Sequence, residues 1–114
     1  MTTETTAPAL DVRALPVENF TASDLARIHL AQDLLQALQV AEGALMTLCE
    51  DTSVAGDYVA EARALRSSLA VGVIPAAVIA ERVRGTSWEL IGKMFRLSAE
   101  EAEAEWGQEV EDWQ

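Results

Sequence analysis

The sequence predicts an all-α protein, in which a helical hairpin is followed by a three-helix unit. Half of the residues are apolar, and most of these are Ala, Leu and Val with few aromatic rings, a composition that favours packed helices over sheets. Apolar residues recur at alternating steps of three and four over residues 22–50, as on one face of a helix. Ahead of three apolar runs a Ser or Thr is followed by an acid three residues later, in the pairs Thr21/Asp24, Thr86/Glu89 and Ser98/Glu101, a pattern that predicts helix starts.

The length of 114 residues corresponds to one domain with a modest core. Residues 1–20 are rich in Thr and Pro and lack helical periodicity, so we predict a flexible N-terminal arm there. Residues 21–114 then form a single all-α domain. Within it we predict the hairpin over 21–72 and the three-helix unit over 75–113.

The first predicted helix begins with a capping box formed by Thr21 and Asp24. Its apolar stripe has near-heptad spacing and consists of Ala31, Leu34, Leu38, Ala41, Leu45 and Leu48. Such a stripe suits two different structures. It can be a homodimer seam through helix 22–50, or the buried face of a core helix in a small bundle. The sequence leaves both interpretations open.

A polar break at residues 50–53 separates this helix from a second one, predicted over residues 54–71 and ended by Gly72. Tyr58, Ala62, Leu65 and Leu69 follow one another at steps of four and three on one face. Two helices joined by a short polar loop usually run antiparallel. Residues 22–71 therefore predict a helical hairpin.

Three further helices are predicted in the three-helix unit. The third runs from Pro75 to Arg84 and stops at Gly85; Thr86 and Glu89 form a capping box for the fourth, which ends near Phe95; and Ser98 with Glu101 opens the fifth. Trp88, Ile91 and Phe95 share one side of the fourth helix, so we expect them in the core with Leu97 and Trp106. We expect Gly92 and Ala102 to allow a close approach of the fourth and fifth helices.

Two short helices joined by a tight turn form the skeleton of a helix-turn-helix. The residues Gly85-Thr-Ser-Trp-Glu-Leu-Ile-Gly92 and the turn up to Ser98 resemble the helix-turn-helix segment of many small actinobacterial proteins, with the pattern Gly-x-Ser-Trp-x-x-Ile-Gly. The resemblance covers about residues 76–107. It implies a bacterial, DNA-binding and transcription-related module. Two features depart from the family: Arg96 replaces the turn glycine, and acids replace the polar or basic residues that begin the recognition helix.

The acidic charge is concentrated at the fifth predicted helix. The chain has a net charge of −11, and residues 98–114 contain seven acids and no base. Carboxylates repel phosphate and offer only hydrogen-bond acceptors to bases. We therefore predict that this helix contacts a partner protein, itself basic or DNA-binding. The candidate partner-binding residues are Glu100, Glu101, Glu103, Glu105 and Glu109.

Two alternatives stay open for this module. One is a dimeric DNA-binding transcriptional regulator, whose candidate contacts are Arg82, Arg84, Lys93 and Arg96. The other is an acidic surface that serves only solvation and helix stability, since acids near a helix N-terminus complement its dipole.

The sequence points away from catalysis. It contains no glycine-rich phosphate loop, no nucleophile–base set and no metal-ligand spacing, so we expect no enzyme activity, no cofactor and no metal. The single cysteine, Cys49, fits a reducing compartment, and we expect its side chain to be buried. We also expect no membrane segment and no signal peptide, and therefore a cytoplasmic protein.

Overall fold

The computed structural model describes residues 19–50 and 53–114, and every regular element in these two ranges is helical. The five α-helices are α1 (Ala22–Cys49), α2 (Asp57–Ser67), α3 (Ile74–Val83), α4 (Trp88–Met94) and α5 (Ala99–Trp113). The predicted all-α class is therefore confirmed. The predicted flexible arm at 1–20 lies, apart from its last two residues, outside the described residues.

α2 and α3 belong to one continuous helix, because a π-helical turn over Ser68–Val73 joins them. The predicted helix end at Gly72 is therefore wrong. Pro75 has no backbone N–H, and its ring would crowd the carbonyl four residues earlier in a regular α-helix. The wider π turn lies just before this proline, and such turns let a helix bend and continue. The predicted boundary between hairpin and three-helix unit thus falls inside a helix.

α1 lies antiparallel to this long helix and packs against α2, the π turn and α3. The side chain of Thr47 hydrogen-bonds Glu61, whereas Asp33, earlier in α1, contacts Gly72, later in the chain. Because the later residue of α1 contacts the earlier residue of the long helix, the two helices run antiparallel. The two antiparallel helices of the predicted hairpin are present, but the second extends to Val83.

The helix from Asp57 to Val83 contains an 18-residue window with a mean hydropathy of 1.5. By length and composition it is apolar enough to cross a membrane, so the expectation of no such segment stays untested. Its C-terminal part is α3, whose Val78, Ile79 and Ala80 are buried in the protein core. A core helix can have the same composition, but only 28% of this window is buried.

The core lies where α3, α4 and α5 meet, with the first turn of α1 beside them. Its buried members are Ala26, Val78, Ile79, Ala80, Ile91, Ala102, Trp106 and Val110. Leu97 and Trp88 are partly buried against this cluster, as expected, but Phe95 is 41% exposed. Ile91, in the middle of α4, is therefore in the core, whereas Phe95, the residue that follows α4, lies at its edge.

Two of the three predicted capping boxes are confirmed, those of Thr21 with Asp24 and Ser98 with Glu101. The predicted box of Thr86 with Glu89 is wrong. The N-cap of α4 is Ser87, whose hydroxyl accepts the N–H of Leu90 at 3.1 Å. The Thr86 hydroxyl instead donates to the Glu81 carboxylate at 2.7 Å. Thr86 therefore ties the start of α4 back to α3.

The leucines of α1 are not packed as they would be in a core helix. Leu34, Leu38, Leu45 and Leu48 are each about half exposed or more, so within one chain the leucine stripe of α1 is not buried. Cys49 is also exposed, contrary to expectation. The core-helix interpretation of this stripe is wrong for the single chain.

Candidate functional site

α5 is held to the core by one face. Ala102, Trp106 and Val110 are buried at steps of four, which places them on one side of a helix. The ring of Trp106 also packs on Phe95 at the end of α4, with the ring centroids 4.9 Å apart. These contacts fix which side of α5 is turned to solvent.

The remaining circumference of α5 is acidic. We define the acidic surface as its seven exposed acids: Glu100, Glu101, Glu103, Glu105, Glu109, Glu111 and Asp112. All five predicted partner-binding residues belong to it. Within residues 19–50 and 53–114, no acid of α5 forms an ion pair.

Only two of these acids have a role inside the protein. The carboxylate of Glu101 accepts the backbone N–H of Ser98 at 2.8 Å and completes the cap, and that of Asp112 accepts from the side-chain amide of Gln108 at 2.9 Å. The first turn also gains from negative charge, because it complements the positive end of the helix dipole. Helix stability thus accounts for Glu100, for Glu101 and, through its bond with Gln108, for Asp112, but not for Glu103, Glu105, Glu109 and Glu111.

The rest of the acidic surface opposes helix stability. Glu101, Glu105 and Glu109 are spaced four residues apart, and like charges at this spacing destabilise a helix by about 0.2–0.5 kcal/mol per pair. Glu111 and Asp112 lie in the last turn, which contains no base, and there negative charge meets the negative end of the dipole. This arrangement is unfavourable unless positive charge comes from outside the helix.

Two of the four candidate DNA-contacting residues are engaged within the protein. The guanidinium of Arg82 lies 4.8 Å from the ring centroid of Trp88, and its Nη1 donates to the carbonyl of Thr86 at 2.8 Å. Arg84 lies near Glu81, with Nε 3.8 Å from Oε1. Arg82 therefore fastens α3 to the start of α4 and presents little charge to solvent.

Arg84 is nevertheless exposed, with 67% of its side chain accessible. The other two candidates, Lys93 on α4 and Arg96 in the turn, are exposed as well. Lys93 lines a groove between α4 and the start of α5, and the charged residues that share this groove are Glu89 and Glu100. A helix-turn-helix presents this region to the DNA backbone and groove. Two carboxylates beside one ammonium give it a negative balance, which disfavours phosphate.

No protein-family model, curated protein or solved structure matches this chain. The resemblance to actinobacterial helix-turn-helix proteins therefore rests on the residues quoted above. The structure adds that Trp88 and Ile91 pack at the core and that the chain turns tightly between α4 and α5.

An apolar cleft between α3 and α4 was not anticipated from the sequence. Leu90, Met94 and Phe95 line it and are 47%, 72% and 41% exposed. Leu90 and Met94 are four residues apart and out of phase with Trp88 and Ile91, a spacing that could have indicated a second apolar face on this short helix. The cleft adjoins α5 through the contact of Phe95 with Trp106.

Among the described residues, no three or more His, Cys, Asp or Glu side chains are grouped so that they could hold a metal ion. The acidic surface spreads its carboxylates around and along α5 instead of converging them. A convex surface of this kind suits contact with a macromolecule.

Proposed function

We propose that this chain is a small, non-enzymatic regulatory or adaptor protein that acts by protein–protein contact through the acidic surface of α5. The proposal rests on the charges of α5. Its acids beyond the first turn repel one another, and within residues 19–50 and 53–114 none of them forms an ion pair. Bound positive charge would remove that repulsion. A cytoplasmic, bacterial and transcription-related setting follows from the resemblance and belongs to the proposal.

The partner surface should be basic. Glu103, Glu105 and Glu109 offer acceptors to Arg and Lys side chains, and Arg pairs with carboxylates through two parallel hydrogen bonds. A surface that binds DNA carries such bases. We therefore propose that the partner is a basic, DNA-binding protein, and that α5 contacts the surface which otherwise meets DNA.

The rival function, a DNA-binding transcriptional regulator, is favoured by the exposure of Arg84, Lys93 and Arg96. It is opposed by Glu89 and Glu100 beside Lys93, and by the engagement of Arg82 with Trp88. We favour protein contact because the part of the module that would enter a DNA groove is the acidic surface itself.

Capture of partners from the native cytoplasm tests the proposal. The full chain serves as bait beside Glu103→Lys with Glu105→Lys, which reverses charge at two exposed positions and should leave the helical fold, checked by circular dichroism, intact. We expect a basic protein to be retained by the unmodified chain and lost with the variant.

A matched control reverses one charge far from α5. Glu42→Lys changes an exposed helical acid of α1 and should retain the partner, whereas Glu105→Lys, with the same change in net charge, should weaken binding. Equal retention by the charge-reversed double variant would refute a partner surface on α5.

A further inference from the structure

The hairpin has small and polar side chains where its two arms meet, and it leaves larger apolar side chains exposed to solvent. The side of α1 that faces the long helix carries Asp33, Ala37, Val40, Ala44 and Thr47, at alternating steps of four and three. Of these only Ala37 is buried. The Thr47 hydroxyl hydrogen-bonds Glu61 across the hairpin at 2.6 Å. The contact between the two arms is thus made by small and polar groups.

The leucines of α1 lie on a neighbouring side of the helix, about 100° around its axis from the face that meets the long helix. Leu34, Leu38, Leu45 and Leu48 are 49%, 55%, 60% and 58% exposed, and Ala41 completes an uninterrupted heptad-type series with them. This spacing keeps one face turned towards a neighbouring helix along its whole length. No position of the series is charged.

α2 shows the same arrangement. It contains no buried residue, and its contact with α1 uses Glu61. On its outer side Tyr58 and Val59 are 56% and 74% exposed. Leu69 and Val71 in the π turn that follows are 39% and 75% exposed. Both arms therefore expose apolar faces over the same length of the hairpin.

We infer that these apolar faces are the interface of a homodimer, in which the hairpins of two copies pack into a four-helix bundle. A second copy supplies two further helices with exposed apolar residues, the number that a hairpin lacks for a bundle core. A two-fold axis makes one surface serve both sides of the contact.

The extent of the surface agrees with a stable dimer. The outward apolar residues Leu34, Leu38, Leu45, Leu48, Tyr58, Val59, Leu69 and Val71 are 39–75% exposed, and a stable interface buries about 800 Å² per partner. A contiguous apolar patch made of so many side chains is unusual on a monomer. The chain has a net charge of −11, and the uncharged seam allows two copies to meet without burying like charges.

Charged residues in the middle of α2 indicate that the apolar faces are covered by a second copy of the chain and not by a lipid bilayer. Glu61, Arg63 and Arg66 follow one another along α2, and Arg63 and Arg66 are exposed. At the rim of a bundle these side chains reach water, whereas inside a bilayer each arginine would be costly. The inference is independent of the acidic-surface proposal, because among the described helices α5 contacts only α3 and α4.

Measurement of the molar mass of the full chain in solution is the first test. We expect twice the chain mass of 12.3 kDa by light scattering at tens of micromolar. The midpoint of thermal unfolding should rise with protein concentration, because dissociation is coupled to unfolding of the hairpin. This second readout needs no variant.

A matched pair of variants then locates the interface. Leu38→Glu with Leu45→Glu places two carboxylates on the seam, and we expect association to weaken at least about 100-fold, since burial of unpaired charge is strongly unfavourable. Gln32→Glu with Gln39→Glu introduces the same charges at the same spacing on an exposed, off-seam side of α1. This control should remain dimeric.

Three results would overturn the inference: a monomeric chain whose unfolding midpoint does not depend on concentration, equal dimerisation by both double variants, or a monomer that partitions into phosphatidylcholine vesicles. Loss of dimerisation without loss of partner capture would leave the role of α5 untouched, and the reverse result would leave the dimer untouched.

Discussion

A Cβ atom added to Gly92 would lie 2.6 Å from the carbonyl oxygen of Leu97. It would also lie 2.8 Å from the carbonyl oxygen of Ser98, so the turn passes directly over α4. The close approach expected at Gly92 is therefore confirmed, but its nearest neighbours are backbone atoms of the turn and not Ala102. This contact fixes where α5 begins and hence how the acidic surface is oriented.

Gly92→Ala should destabilise the fold by about 2–3 kcal/mol, because backbone must move to admit the methyl group. Urea unfolding followed by circular dichroism measures the change. Gly43→Ala is the control, since a Cβ there has no neighbour within 4 Å and a helical Gly→Ala change gains up to about 1 kcal/mol. A neutral Gly92→Ala variant would contradict the tight turn.

Arg96→Gly should stabilise the protein by about 1 kcal/mol. Arg96 has a φ of 60°, a left-handed conformation that costs an L-residue energy and glycine little. The turn geometry is preserved, because the N–H of Leu97 bonds the carbonyl of Gly92 at 2.8 Å in either variant. An unfolding midpoint that falls would show that the Arg96 side chain makes a stabilising contact.

Glu105→Gln should stabilise the isolated protein by about 0.5 kcal/mol, because it removes repulsion with Glu101 and Glu109. The gain should shrink as salt screens the charges. Thermal unfolding at low and high salt measures both effects. The same variant should bind the partner less well. Such a trade-off between stability and function is expected of a binding surface. A destabilised variant would instead assign Glu105 to the fold.

Protonation of Asp24 should weaken the start of α1. The backbone N–H and the hydroxyl of Thr21 hydrogen-bond its carboxylate and, with nearby Arg27, hold the pKa of Asp24 below its ordinary value. The stabilisation is complete above the ordinary pKa and is lost as pH falls through the lowered one. Carbon-detected NMR titration of the Asp24 carboxyl group measures its pKa. A pKa at or above the ordinary value for Asp would contradict the predicted effect of the cap.

Local sequence signals predicted the helix starts and the turn well. Thr21 with Asp24, and Ser98 with Glu101, are caps whose geometry depends on residues three positions apart, so the sequence alone contains the necessary information. Arg96 in a glycine position was visible from the motif in the same way. The all-α class followed from composition and periodicity.

The sequence could not show which face of a helix another helix covers. Both stripes of α1 have helical spacing, and the leucine stripe is the more apolar, yet α1 packs against the long helix with Asp33, Ala37 and Thr47. The predicted break at Gly72 failed for a related reason. Glycine and proline end many helices, but the packing of α1 against the long helix favours its continuation through a π turn.

The sequence places all five candidate glutamates on one helix, and the structure adds that each is exposed on α5. Their binding of a partner stays a prediction. The engagement of Arg82 with Trp88 and the cleft at Leu90 and Met94 depend on contacts between helices, and these could not be read from spacing.

Duplex binding at low salt tests the central claim most directly. A labelled random-sequence duplex is titrated with the full chain at about 50 mM salt and followed by fluorescence anisotropy. We expect no binding by the unmodified chain, and weak, salt-sensitive binding by Glu103→Lys with Glu105→Lys on the same scaffold. Duplex binding by the unmodified chain, with an affinity that falls with salt as several phosphate contacts require, would contradict a protein-contact role for α5.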